Sequence, residues 1–172
     1  MSTHRESVTV DHSPALISTV IAIGAGVLAV FASTLSSGIA LILGILGLLM
    51  LIAALTVMES RLAVSFGIAG IFLGLLVGGV YGTPVELLLL GMVATIVAWD
   101  TGQNAIVIGR QLGRGKHTKR AEFGHTGASF LVGIAAVAVA YLLYMVAVGA
   151  PPITALIFLL LAAGFLAWAI RV

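Results

Sequence analysis

The sequence predicts an all-α integral membrane protein, a polytopic bundle of about six transmembrane helices with both termini on the cytoplasmic side. Three observations carry that expectation. Of 172 residues, 61% are hydrophobic and only 8% are charged, whereas soluble domains carry about 25% charged residues. Mean hydropathy is +1.25, so hydrocarbon must solvate most of the surface. The apolar residues fall into six runs near the length of about 20 residues that a bilayer core of roughly 30 Å requires. Finally, all eight Lys and Arg residues fall on one side of a six-span arrangement.

The spans lie near 14–33, 37–58, 61–81, 84–106, 124–149 and 152–170, after a short polar cytoplasmic tail at 1–12. Residues 13–172 form one domain. Ser13-Pro14 and Thr83-Pro84 each place a capping side chain before a proline at a first helical position. Thr83 and Glu86 have capping-box spacing, and Ser60 can cap the third span. Gly149 and Pro151-Pro152 separate the last two spans. A cleaved signal peptide fits span one poorly. Its apolar run exceeds the usual length of about 7–15 residues, and Glu6 and Asp11 accompany the single Arg5.

Orientation follows from the cations. Arg5 precedes span one, Arg61 lies between spans two and three, and Arg171 follows span six. Arg110, Arg114, Lys116, Lys119 and Arg120 lie between spans four and five. The opposite connections, near 34–36, 81–83 and 149–151, hold none, so the positive-inside rule predicts N-in and C-in. The basic balance therefore points to membrane topology rather than nucleic acid. With no cysteine in the chain, disulfides and thiolate metal sites are excluded.

Lipid gives apolar helices no hydrophobic reason to associate, so small residues must let backbones approach closely. Span three carries the clearest pattern: Gly70, Gly74 and Gly78 recur every fourth residue, extended by Gly67 and Ala63. Ala22 and Gly26, Ala40 and Gly44, and Ser129 and Gly133 offer weaker versions on spans one, two and five. The stripe on span three serves either packing within one chain or a homo-oligomer seam.

Polar chemistry is concentrated in residues 99–129. Apolar spacing continues past Trp99 through Ala105, Ile106, Val107, Ile108 and Leu112. Helix four is therefore expected to run to about Leu112 and helix five to begin near Thr118, a hairpin projecting into the cytoplasm. Asp100, Gln103 and Asn104 share one helix face. Asp100 lies roughly 24 Å along the axis from Pro84, at the inner edge of the hydrocarbon, where an unpaired carboxylate is costly. A turn centred near residue 115 would set Gln103 and Asn104 opposite His125, Thr126 and Gly127, and Asp100 opposite Ser129. Two readings stay open for the cluster Asp100, Gln103, Asn104, His125, Thr126 and Ser129. It either fastens helix four to helix five or forms part of an ion or proton path. The basic loop, with five cations against Glu122, sets topology and can also contact anionic lipid or a soluble partner.

Enzymatic readings fail on geometry. His125 and Ser129 share a helix, span six has no histidine, and an intramembrane serine protease needs a base from another helix. His4 and His12 do not build a metal site. Gly113-Arg114-Gly115-Lys116 lacks the spacing of a phosphate loop. No metal, cofactor or nucleic-acid partner is expected.

The stretch Trp99-Asp100-Thr101-Gly102-Gln103-Asn104-Ala105, then 109–114, Arg120-Ala121-Glu122 and 125–129, resembles a family of uncharacterised small membrane proteins of halophilic archaea. About thirty residues carry the resemblance, and elsewhere only hydropathy does. It implies a multi-span protein of the cell membrane without assigned activity. It also implies gene neighbours encoding an AAA ATPase of the MoxR type, which favours an accessory role. One departure is the basic balance, since halophile proteins usually expose acidic surfaces. The expected function is a non-enzymatic scaffold or accessory subunit presenting the helix four–five hairpin. The alternative is a small transporter or channel using Asp100 and His125.

Overall fold

A computed structural model describes residues 14–33 and 37–112. It also describes the helical residues 127, 130, 131, 133–135, 137, 138, 141 and 161. Among the described residues the architecture is all-α: α1 (Leu16–Ser33), α2 (Gly38–Ala53), a π-helical turn (Ala54–Met58), α3 (Arg61–Val80) and α4 (Val85–Leu112). Four helical segments, Leu16–Ser33, Gly38–Met58, Arg61–Val80 and Val85–Arg110, are long and apolar enough to cross a membrane. The chain is therefore a multi-pass helical membrane protein. The tail at 1–12 lies outside the described residues, and of the expected spans near 124–149 and 152–170 only nine residues and one residue are described.

Local hydrogen bonds mark the starts of α2 and α3 and the end of α3. The Ser37 hydroxyl accepts from the Ile39 and Ala40 amides at the start of α2, and Ser60 accepts from Ala63 at the start of α3. At the end of α3 the Gly82 amide bonds the Gly79 carbonyl at 3.2 Å, and the Thr83 amide bonds Gly78 at 3.0 Å. With Gly82 at φ 88°, this is a Schellman ending, which needs the left-handed conformation that glycine adopts without strain. α4 reaches Leu112, as its apolar spacing indicated.

Span two does not stay α-helical to its end. Its last five residues widen into the π turn, whose amides at Glu59 and Ser60 both converge on the Ala54 carbonyl. The Thr56 hydroxyl bonds back to Ile52 at 2.8 Å, a contact that bends helices. Glu59 then adopts a left-handed conformation at φ 46°.

α1 pairs antiparallel with α4, and α2 with α3. Packing works by close backbone approach. A Cβ built on Gly47 would lie 2.6 Å from the Gly67 carbonyl, and one on Gly67 would lie 2.6 Å from the Leu51 amide nitrogen. Gly70 meets Gly47, and Gly74 meets Ala40 and Gly44, while Gly78 approaches Ser33 and Thr83. The stripe on α3 is thus covered by α2 and the end of α1 within the same chain. Of the two sequence-derived options for the stripe, packing within one chain is the one the structure displays; a homo-oligomer through the third helix would have to use its outer face, where Leu62, Phe66 and Leu73 are exposed. Gly26 seats Leu48 and Leu51, and Gly102 faces Val64 and Ala22.

Side chains facing outward are large and apolar, including Leu28 and Phe31 on α1, Ile42, Leu46 and Leu49 on α2, and Leu62 and Phe66 on α3. In water these would be a liability; in lipid they are the solvated surface. Three buried hydroxyls bond their own helices: Ser33 donates to Val30, Thr95 to Gly91 and Thr101 to Val97. Val137 and Tyr141 pack against the core clusters, and Gly133 lies against Val93.

Candidate functional site at the basic end of the bundle

The start of α1, the α2–α3 connection and the last turns of α4 meet at one end of the bundle. The Ala15 amide reaches across to the Ala105 carbonyl at 2.9 Å, which ties the entry of α1 to α4. α4 contributes Asp100, Gln103 and Asn104. Asp100 is 7% exposed and Gln103 6%, whereas Asn104 is half-buried. Trp99 packs against the larger core cluster.

Gln103 organises this end. Its Nε2 donates to the Arg61 carbonyl at 2.9 Å and to the Ser65 hydroxyl at 3.1 Å. Its Oε1 accepts from Arg61 Nε at 2.7 Å. An amide presents donors and an acceptor on one plane, so both sides of this side chain are used where water is scarce. Two turns farther along α4, on the same face, Arg110 donates from a guanidinium nitrogen to the Glu59 carbonyl at 2.8 Å. That carbonyl is presented by the left-handed residue that follows the π turn. The α2–α3 connection is therefore stitched to α4 at two levels.

The sequence set Gln103 opposite helix five. In the structure its amide is engaged by α3, because the tight turn at Gly82 folds α3 back along α4. Sequence reasoning read Arg61 only as a topology determinant and missed Ser65 entirely. A usable signal existed, since Gly82 is equidistant in sequence from Arg61 and Gln103. An antiparallel hairpin centred there brings the two to the same level.

His125, Thr126 and Ser129, with Arg114, Lys116, Lys119 and Arg120, lie outside the described residues. The structure thus places half of the expected polar cluster, Asp100, Gln103 and Asn104, on α4 and leaves the other half undescribed. Of the basic loop it describes the side chain of Arg110, which is exposed. Among the described residues, no group of three His, Cys, Asp or Glu could hold a metal ion.

The model of a family of unknown function, DUF7519, matches residues 12–167. No curated protein and no solved structure matches the chain. The family match spans both stitched elements, the helices they join and the whole polar segment of the sequence, and on that extent the chain belongs to the DUF7519 family.

Proposed function

We propose that this protein is a non-enzymatic scaffold or accessory subunit of a membrane assembly. In this reading it crosses the membrane six times with both termini in the cytoplasm, and it presents the basic hairpin formed by helices four and five to a cytoplasmic partner. The observation that carries it is the anchoring of α4. The helix runs unbroken to Leu112, and Gln103 and Arg110 fix its final turns to the α2–α3 connection. A projecting element on a rigid base holds its cations in a defined place, which reduces the ordering cost of docking a partner. The concentration of polar residues in this one element, rather than along several spans, supports docking over conduction.

The test is a pull-down with the full-length protein. Arg114→Ala, Lys116→Ala and Arg120→Ala combined should release the cytoplasmic partner that the wild type retains. Retention of every partner by the triple variant overturns the reading.

A second reading is supported by Asp100, a carboxylate 7% exposed inside a candidate span. Ionisable residues in such places often line ion or proton paths. With His125 it would serve a small transporter or channel. Unchanged flux in vesicles carrying Asp100→Asn would end that version.

A further inference from the structure

We infer that the α2–α3 connection and the last turns of α4 form a seat for the phosphate of an anionic membrane lipid, held between Arg61 and Arg110. The inference rests on the reading of this end as the inner, basic end of the protein. It adds a site distinct from the loop at 114–120.

Four observations converge. Arg61 and Arg110 are exposed residues, and each is anchored by a hydrogen bond to a protein oxygen: Arg61 Nε to Gln103 Oε1, and Arg110 to the Glu59 carbonyl. Anchoring one N–H fixes the plane of the fork, which suits bidentate recognition of phosphate oxygens. Gln103, which anchors Arg61, and Arg110 itself lie two turns apart on one face of α4, roughly 10 Å along its axis. The cations therefore flank a single sector of the bundle rim. The Glu59 carboxylate lowers the local charge, and its carbonyl occupies one Arg110 N–H, which leaves the other donors of that guanidinium for a phosphate.

The fourth observation selects a lipid over a free phosphate. Immediately beside the cations the surface turns strongly apolar: Val57, Met58, Leu62 and Phe66 are 79%, 52%, 73% and 69% exposed. Leu62 and Phe66 stand one turn apart on the outer face of α3. An anionic headgroup at the arginines would lay its acyl chains along this apolar surface. Inorganic phosphate could use only half of that arrangement.

The experiment reconstitutes the full chain in nanodiscs of phosphatidylcholine containing a minor fraction of phosphatidylglycerol. Lipid co-purifying with the protein after detergent extraction is then measured. The wild type should retain phosphatidylglycerol preferentially. Arg110→Gln and Arg61→Gln should each lower that preference by roughly fivefold. Arg110→Lys should recover only part, since an ammonium cannot match the planar fork. If Arg61→Gln does not fold, Arg110→Gln decides alone.

Wild-type preference in Arg110→Gln overturns the proposal. Full displacement of the lipid by millimolar inorganic phosphate overturns the assignment to a lipid. No lipid preference in the wild type, with the pull-down result intact, sinks this site and spares the scaffold reading; lipid preference in the wild type, with every partner retained by the triple variant, does the reverse.

Discussion

Gln103 and Arg61 bond each other reciprocally. Arg61 Nε donates to Gln103 Oε1 at 2.7 Å while Gln103 Nε2 donates back to the Arg61 carbonyl at 2.9 Å. The pair joins the first residue of α3 to the fourth helix at the level where the basic end begins. Because Gln103 also engages Ser65, one side chain ties the turn of α3 to α4 through three bonds.

Replacing Gln103 should therefore loosen this end more than removing any of its partners. Gln103→Leu should lower stability by about 1–3 kcal/mol, and Ser65→Ala by about 1 kcal/mol or less. Thermal unfolding in detergent measures both. Equal, negligible losses would mean that the bonds contribute nothing net.

The α2–α3 interface predicts a sharp contrast among glycines. Gly47→Ala and Gly67→Ala each drive a methyl into backbone, with contacts near 2.6 Å, and should destabilise by at least about 1–3 kcal/mol. Gly24→Ala meets nothing within 4 Å and should stabilise α1 by about 0.5–1 kcal/mol. The checking measurement is the unfolding midpoint of each variant.

Glu59 occupies a left-handed conformation at φ 46°, which costs a residue with a Cβ about 1–2 kcal/mol. Glu59→Gly should relieve most of that strain and raise the unfolding midpoint. Glu59→Ala, which keeps the Cβ and discards the carboxylate, should not. A gain in the alanine variant equal to that in the glycine variant would assign the effect to charge instead.

Asp100 and His125 separate the clasp from the conduction reading. If they fasten helix four to helix five, Asp100→Asn and His125→Ala should each destabilise the protein, and the double variant should be no worse than either single. Unchanged stability in both would direct attention to flux.

The proposed six-span topology has a direct test because the chain contains no cysteine. A cysteine placed at Tyr81, which is exposed, should react with an impermeant thiol reagent from outside intact cells. A cysteine at Lys116 should react only after the membrane is opened. Labelling of both from the same side would overturn the topology.

Much of the fold was legible because hydropathy and chain length are nearly sufficient where lipid is the solvent. A backbone in hydrocarbon must satisfy its own hydrogen bonds, so an apolar run of span length becomes a helix. The four described helices accordingly begin and end within a few residues of the expected spans. Ser60 could be read as a cap because capping depends on residues three positions apart. The π turn at Ala54–Met58 was not legible, since it exchanges one hydrogen-bond register for another with no compositional mark. Ser65 escaped notice for a related reason: a serine in an apolar helix ordinarily bonds its own backbone, and only the approach of Gln103 gives it a different partner.

Composition and hydropathy, read from the sequence alone, determined that this is a multi-pass helical membrane protein, and the cations supplied an expectation for its topology. These are properties of transfer between water and lipid, and they depend on each segment's own residues. Tertiary structure alone decided which surfaces meet. It turned the Gly67–Gly78 stripe inward onto α2 and the end of α1, and it set Gln103 on Arg61 and Ser65. Those outcomes depend on how α2, α3 and α4 fold back on one another, and contact between distant residues leaves no periodic signature in either segment.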